Sequence, residues 1–187
     1  MDQGLKVSCV TAYRLGFKLA KAVWHQGESV QRLAFIEQTR AHASELSLQH
    51  EDLIVALAHL KVATDANSLL SNARSGFEIR NEMASVIQSQ HGEKAAAAFR
   101  AGFAIVSIGP QFEVLSTGLE ACRPFQELYG SITSQLESLI ADAGAIGIQE
   151  KSISMLKKIN ADARKADASR MLLMMAGSAF DRELGES

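Results

Sequence analysis

Two prolines and two cysteines in 187 residues set the first limits on this chain. With proline only at positions 110 and 124, almost nothing in the sequence forbids helix. Cys9 and Cys122 are too few for a secreted disulfide framework and lack metal-ligand spacing, so they read as two buried, reduced thiols. An excess of one charge is missing as well. Nineteen Lys and Arg stand against 21 Asp and Glu, which gives no global reason to expect nucleic acid as a partner. Nor is there a long apolar run: the longest, 95–108, contains Arg100 and falls short of the ~20 residues needed to cross a bilayer. At the amino terminus Asp2, Lys6 and Arg14 interrupt any signal-peptide core, and Lys6 stands where a lipoprotein signal before Cys9 needs leucine. The chain therefore reads as cytoplasmic, without a membrane span.

What is present is ordinary globular composition, 47% hydrophobic and 21% charged, enough for one domain over 1–187. A chain of this length buries roughly 70% of its unfolded surface and needs no staples. Apolar residues recur at three- and four-residue spacing: Leu53, Leu57, Leu60 and Ala63 share one face, and Leu70, Ala73, Phe77, Ala84 and Ile87 another. No stretch alternates with β-branched enrichment, so no strand is assigned. Gly27 ends a first helix of 5–25, and Ser29 caps a second that runs to 45. Ser47, Glu51 and Asp52 open a third over 48–63, and Thr64 or Asp65 starts a fourth that ends at His91-Gly92; one helix over 48–90 is the alternative. Gly109-Pro110 and Arg123-Pro124 divide the middle into helices over 93–108, 110–122 and 124–143. The turn 144–147 leads into a last helix over 148–180, interrupted around 160–166. The expected fold is all-α, an antiparallel bundle of seven to eight helices, with no 34- or 40-residue solenoid period.

The most informative pattern is a near-repeat. Residues 12–17 read Ala-Tyr-Arg-Leu-Gly-Phe and residues 98–103 read Ala-Phe-Arg-Ala-Gly-Phe, with a weaker core at Arg74-Ser75-Gly76-Phe77. The offset of 86 raises an internal pseudo-repeat of 7–90 onto 93–176. A helical glycine costs about 0.8–1 kcal/mol relative to alanine, so Gly16, Gly76 and Gly102 need a reason. Close approach of a neighbouring helix supplies one, with Phe17, Phe77 and Phe103 filling the flanking core. A functional reading has Arg14 and Arg100 converge on an anion or a partner carboxylate.

Catalytic constellations are absent from the pattern. His25, His42, His50, His59 and His91 show no four-residue helical zinc spacing and no Glu-x-x-His, so neither metal nor cofactor is expected. Trp24-His25 at a helix end reads as a packing residue beside a capping imidazole, and as a candidate binding pair. Ala58-His59-Leu60-Lys61 resembles the signature of histidine phosphotransfer domains, also helical bundles, which would make His59 a phosphoacceptor. That family places its lysine three after the histidine; here Lys61 stands two after it and Val62 follows. The basic stretch 151–170 holds no aromatic residue, so a solvated face explains it better than nucleic acid does. Met171, Met174 and Met175, followed by Phe180, form a helix apolar on several faces, which asks for cover from the core or a second subunit.

The leading expectation is a non-enzymatic interaction or regulatory module with a protein partner, self-associating as a homodimer. A bundle with an apolar pocket and Arg or His contacts to a small molecule is the alternative, and phosphotransfer at His59 the third.

Overall fold

The computed structural model describes residues 3–25, 29–49, 51–60, 62, 66–115, 123–161 and 166–185. The fold is an all-α multi-helix bundle, and the described residues hold no strand. Its helices are α1 (Gln3–Trp24), α2 (Ser29–Glu45), α3 (Glu51–Ala58), α4 (Ala66–His91), α5 (Glu93–Leu115), α6 (Arg123–Ala145), α7 (Glu150–Ala161) and α8 (Ala166–Phe180), closed by a π turn over Asp181–Gly185. Gly27, Thr64, Asp65, Cys122 and the Ser29 side chain lie outside the described residues.

Two elements differ from the sequence expectation. The break at Gly109-Pro110 does not occur, and α5 runs through both residues. Pro110 cannot donate to the Val106 carbonyl, a defect worth about 3 kcal/mol in an isolated helix. Here Ile105, Ile108, Phe112 and Leu115 on either side are all buried, and that packing holds the helix together across the defect. The third helix is shorter than 48–63. After Ala58 the amides of His59 and Leu60 bond only three residues back, to Ala56 and Leu57, and the helix tightens and ends.

The core is organised by α1 and α5. Each is buried on nearly every side, α1 through Cys9, Tyr13, Leu15, Leu19 and Val23, α5 through an alanine run, 95–98, then Phe99, Phe103 and Phe112. Helices apolar all round belong at the centre; α2, α4, α6 and α8 pack on this pair, with α3 against α2 and α4 and α7 against α6 and α8. Cys9 is a free thiol there, and burial pushes its pKa up against a small opposing effect of Lys94.

The crossing of α1 and α5 is set by two glycines in reciprocal contacts. A Cβ on Gly16 would land on the Phe99 carbonyl oxygen and come within 2.9 Å of the Phe103 nitrogen. A Cβ on Gly102 would land on the Tyr13 carbonyl oxygen and come within 3.1 Å of the Phe17 nitrogen. Gly76 brings α4 against α1 in a milder way, because a Cβ there meets only the Val23 side chain, at 2.8 Å. Phe77 stacks obliquely on Phe103, with ring centroids 6.1 Å apart.

The ends of α2 and α6 also match. Leu46, Ser47 and Leu48 donate to the carbonyls of His42, Ser44 and Ala43; Ile146, Gly147 and Ile148 donate to those of Asp142, Gly144 and Ala143. Both turns need a residue with positive φ, Ser47 at 56° and Gly147 at 81°.

Gly16→Ala and Gly102→Ala are each expected to cost more than about 3 kcal/mol, because backbone cannot move aside as a side chain can. Gly130→Ala, with nothing within 4 Å of the added carbon, should instead gain about 0.8–1 kcal/mol. Urea unfolding of the three variants checks the contrast; equal effects at all three sites would refute the crossing constraint.

Candidate ligand cleft

A cleft of about 700 Å³ opens over the α1–α5 pair, between α2 and α8. Its floor is a single face of α1, Phe17, Lys21, Trp24 and His25, spaced three and four apart. Ile105, Val106, Gly109 and Pro110 continue the floor on α5. Gln31 and Phe35 of α2 make one wall. Arg170, Leu173, Met174 and Ser178 of α8 make the other, and Asp181 closes one end. The two small residues create depth: Gly109 offers no side chain, and Gly177 sits 3.5 Å, measured from an added Cβ, from Ile105.

The charged groups around the cleft divide into paired and unpaired. Arg170 is held by Glu113 at 3.0 Å. The Tyr13 hydroxyl donates to Asp181 Oδ1 at 3.0 Å, and burial, reinforced by the Asp181 charge, pushes its pKa well above the usual phenol range. Among the described residues Lys21 meets the Phe17 ring face, 5.4 Å from its Nζ, and no acid. Lys18 has the ring faces of Phe17 and Phe35, each at 5.8 Å. Such cation–π contacts leave the ammonium hydrogens open to an acceptor.

The position of Trp24 follows from how α1 ends. Arg32, itself buried, donates from Nε to the Ala22 carbonyl at 3.2 Å and from Nη2 to the Leu57 carbonyl at 3.0 Å. Asn72 reaches the Val23 carbonyl at 3.5 Å. One cation thus serves the carboxyl-terminal turns of α1 and α3, where a positive charge is favoured. Burial alone holds the Arg32 pKa below its ordinary value. Trp24 on this fixed turn is 3% exposed, and its buried Nε1–H has no hydrogen-bond acceptor among the described residues. An unmet buried donor costs about 1–3 kcal/mol, and this one stands on the cleft's own floor residue.

No family model, curated protein or solved structure matches the chain. The reading of the site therefore rests on its own geometry.

Of the residues marked in the sequence, Phe17, Trp24, His25 and Met174 come together in the cleft. His25 meets Phe35 edge-on at 5.6 Å. Arg14 and Arg100 do not line it. Arg14 is exposed on α1. Arg100 is half-buried and bridges α5 to α6 through Asp142 at 3.0 Å, with Glu93 at 2.6 Å. Burial opposes the Arg100 charge, but the hydrogen bonds to Asp142 and Glu93 more than offset it and leave the pKa raised. His59 is exposed just past the end of α3 and away from the cleft, and Lys61 lies outside the described residues. Met171 and Met175 are exposed beside the cleft wall, while Phe180 is fully buried. Among the described residues no group of three His, Cys, Asp or Glu could hold a metal ion, and no helix is long and apolar enough to cross a membrane.

Sequence reasoning missed Lys21, Arg32, Phe35, Arg170 and Asp181. Lys21 was visible as the residue four after Phe17 on the same face. The others are joined to α1 only by tertiary packing.

Trp24→Phe removes the unmet donor while keeping most of the ring. Its expected stability is within about 1 kcal/mol of wild type, against a loss of about 3–5 kcal/mol for Trp24→Ala. Thermal melts check this; a Trp24→Phe loss as large as that of Trp24→Ala would mean that the indole N–H already has an acceptor.

Proposed function

We propose that this protein is a small-molecule-binding helical bundle that holds a largely apolar ligand in the cleft between α2 and α8. The observation that carries this reading is the cleft's combination of size and chemistry. At about 700 Å³ it falls within the roughly 300–1,000 Å³ of small-molecule sites. Its lining combines aromatic and aliphatic side chains with polar ones, Lys21, His25, Gln31 and Ser178 among them.

Trp24 is the only tryptophan of the chain and so reports on its own site. Titration with N-phenyl-1-naphthylamine, a neutral apolar probe, is expected to quench Trp24 emission saturably at one probe per chain. Ser178→Phe, which fills the cleft from an exposed position on α8, should weaken the probe by about tenfold or more. Absence of saturable binding, or binding indifferent to Ser178→Phe, would rule the cleft out.

A second reading, self-association through α8, is favoured by a separate observation. Met171, Met174 and Met175 are 67%, 68% and 54% exposed on one helix, and each forgoes about 1.5–3 kcal/mol of burial. The Arg170–Glu113 pair beside them leaves no net charge there to repel a second copy of this chain across an isologous contact. Sedimentation velocity should then show a dimer for wild type and a monomer for Met171→Glu/Met175→Glu. A wild-type monomer at high concentration would dispose of this reading.

A further inference from the structure

The two halves of the chain can be laid on one another through contacts that fix their register. The reciprocal glycine contacts place α1 on α5 with a shift of 86 positions, Tyr13 on Phe99, Gly16 on Gly102 and Phe17 on Phe103. The matching turns place α2 on α6 with a shift of 100, Ala43 on Ala143 and Ser47 on Gly147. Under these registers the cleft residues Lys21 and His25 fall on Ser107 and Gln111, and Gln31 and Phe35 fall on Ser131 and Gln135.

Those four counterparts form one hydrogen-bond network. Gln111 and Gln135 exchange amide bonds, Nε2 of Gln135 to Oε1 of Gln111 at 3.1 Å and the reverse at 3.3 Å. Ser107 donates to Gln135 Oε1 at 2.8 Å, and Gln135 Nε2 reaches Ser131 Oγ at 2.8 Å. Ser107 and Gln111 are fully buried and Gln135 nearly so. The contact between Gln111 and Gln135 corresponds to the one between His25 and Phe35 on the open side. In the closed half, then, the oxygen of Gln135 accepts from the positions that correspond to Lys21 and His25. In the open half Phe35 stands in that place and supplies no oxygen. The donor at the cleft floor remains: the Lys21 ammonium, without an ion pair among the described residues.

We infer that the ligand of the cleft is an organic carboxylate with an apolar body, whose carboxylate oxygen accepts from Lys21 beside Phe35, as Gln135 Oε1 accepts from Ser107 in the other half. This rests on the reading of the cleft as a ligand site. The aromatic and aliphatic residues of α2, α5 and α8 take the body, and Lys21 takes the charge. Glu113 and Asp181 do not cancel it, since the first is paired with Arg170 and the second is hydrogen-bonded to Tyr13 at the end of the cleft. One ligand binds per chain, because Lys21, His25, Gln31 and Phe35 line the cleft whereas their counterparts Ser107, Gln111 and Gln135 are buried in their own network.

The test uses 4-phenylbutyrate and its uncharged analogue 4-phenylbutyramide, read by calorimetry and by Trp24 emission. The acid should bind with one site per chain and about tenfold or more tighter than the amide. Lys21→Met, which keeps the length of the side chain and removes its charge, should abolish that preference. If acid and amide bind equally, or if Lys21→Met leaves the preference intact, the carboxylate inference falls and the cleft reading stands. If neither compound nor the naphthylamine probe binds, both fall. A stoichiometry of two per chain would overturn the correspondence between the cleft and the sealed network.

Discussion

The crossing of α1 and α5 is the constraint on which the rest of this structure depends. Two helices approach so closely that each must present a glycine where the other presents backbone, Gly16 against Phe99 and Phe103, Gly102 against Tyr13 and Phe17. Helix axes normally lie about 8–10 Å apart, separated by side chains. Here the side chains at the point of closest approach are removed and the large rings stand beside it. Phe99 and Phe103 are fully buried, and Phe77 from α4 packs on Phe103. The cost of two helical glycines is offset by dense packing along both helices, which makes the pair a rigid axis for the other elements.

Because that axis is rigid, the face it offers to α2 and α8 is rigid too. Phe17 lies one residue beyond Gly16, so the position of the crossing also fixes where the cleft floor starts. At the far end of α1, Arg32 and Asn72 take up the carbonyls of Ala22 and Val23. Trp24 follows directly, held in place by a helix end that has no freedom to fray. Its buried indole N–H has no acceptor among the described residues, a local cost that the same packing imposes.

Several features were legible in the sequence from residue spacing alone. The repeated Gly-Phe pairs marked Gly16 and Gly102 as places where a neighbour comes close, since nothing else in a helix rewards a glycine there. The all-α class followed from three- and four-residue periodicity and from the scarcity of proline. Other features were not legible. Gly109-Pro110 reads locally as a stop, yet α5 continues because burial of Ile105, Ile108 and Phe112 outweighs one missing hydrogen bond. Arg32 reads as one more surface cation, and only the fold places the carbonyls of Ala22 and Leu57 around it.

By itself the sequence determined the all-α class and the close approach of a neighbour at Gly16 and Gly102, because those are matters of local spacing and backbone sterics. Which faces met was decided only by the tertiary structure. Lys21, Phe35 and Asp181 lie on three different elements, and no short-range pattern links them. Nor does any local signal show that Lys21 and Phe35 leave open in one half what Ser107 and Gln135 close in the other. That difference depends on which side chains the packed helices bring within hydrogen-bonding reach, a property of the assembled bundle and not of any one segment.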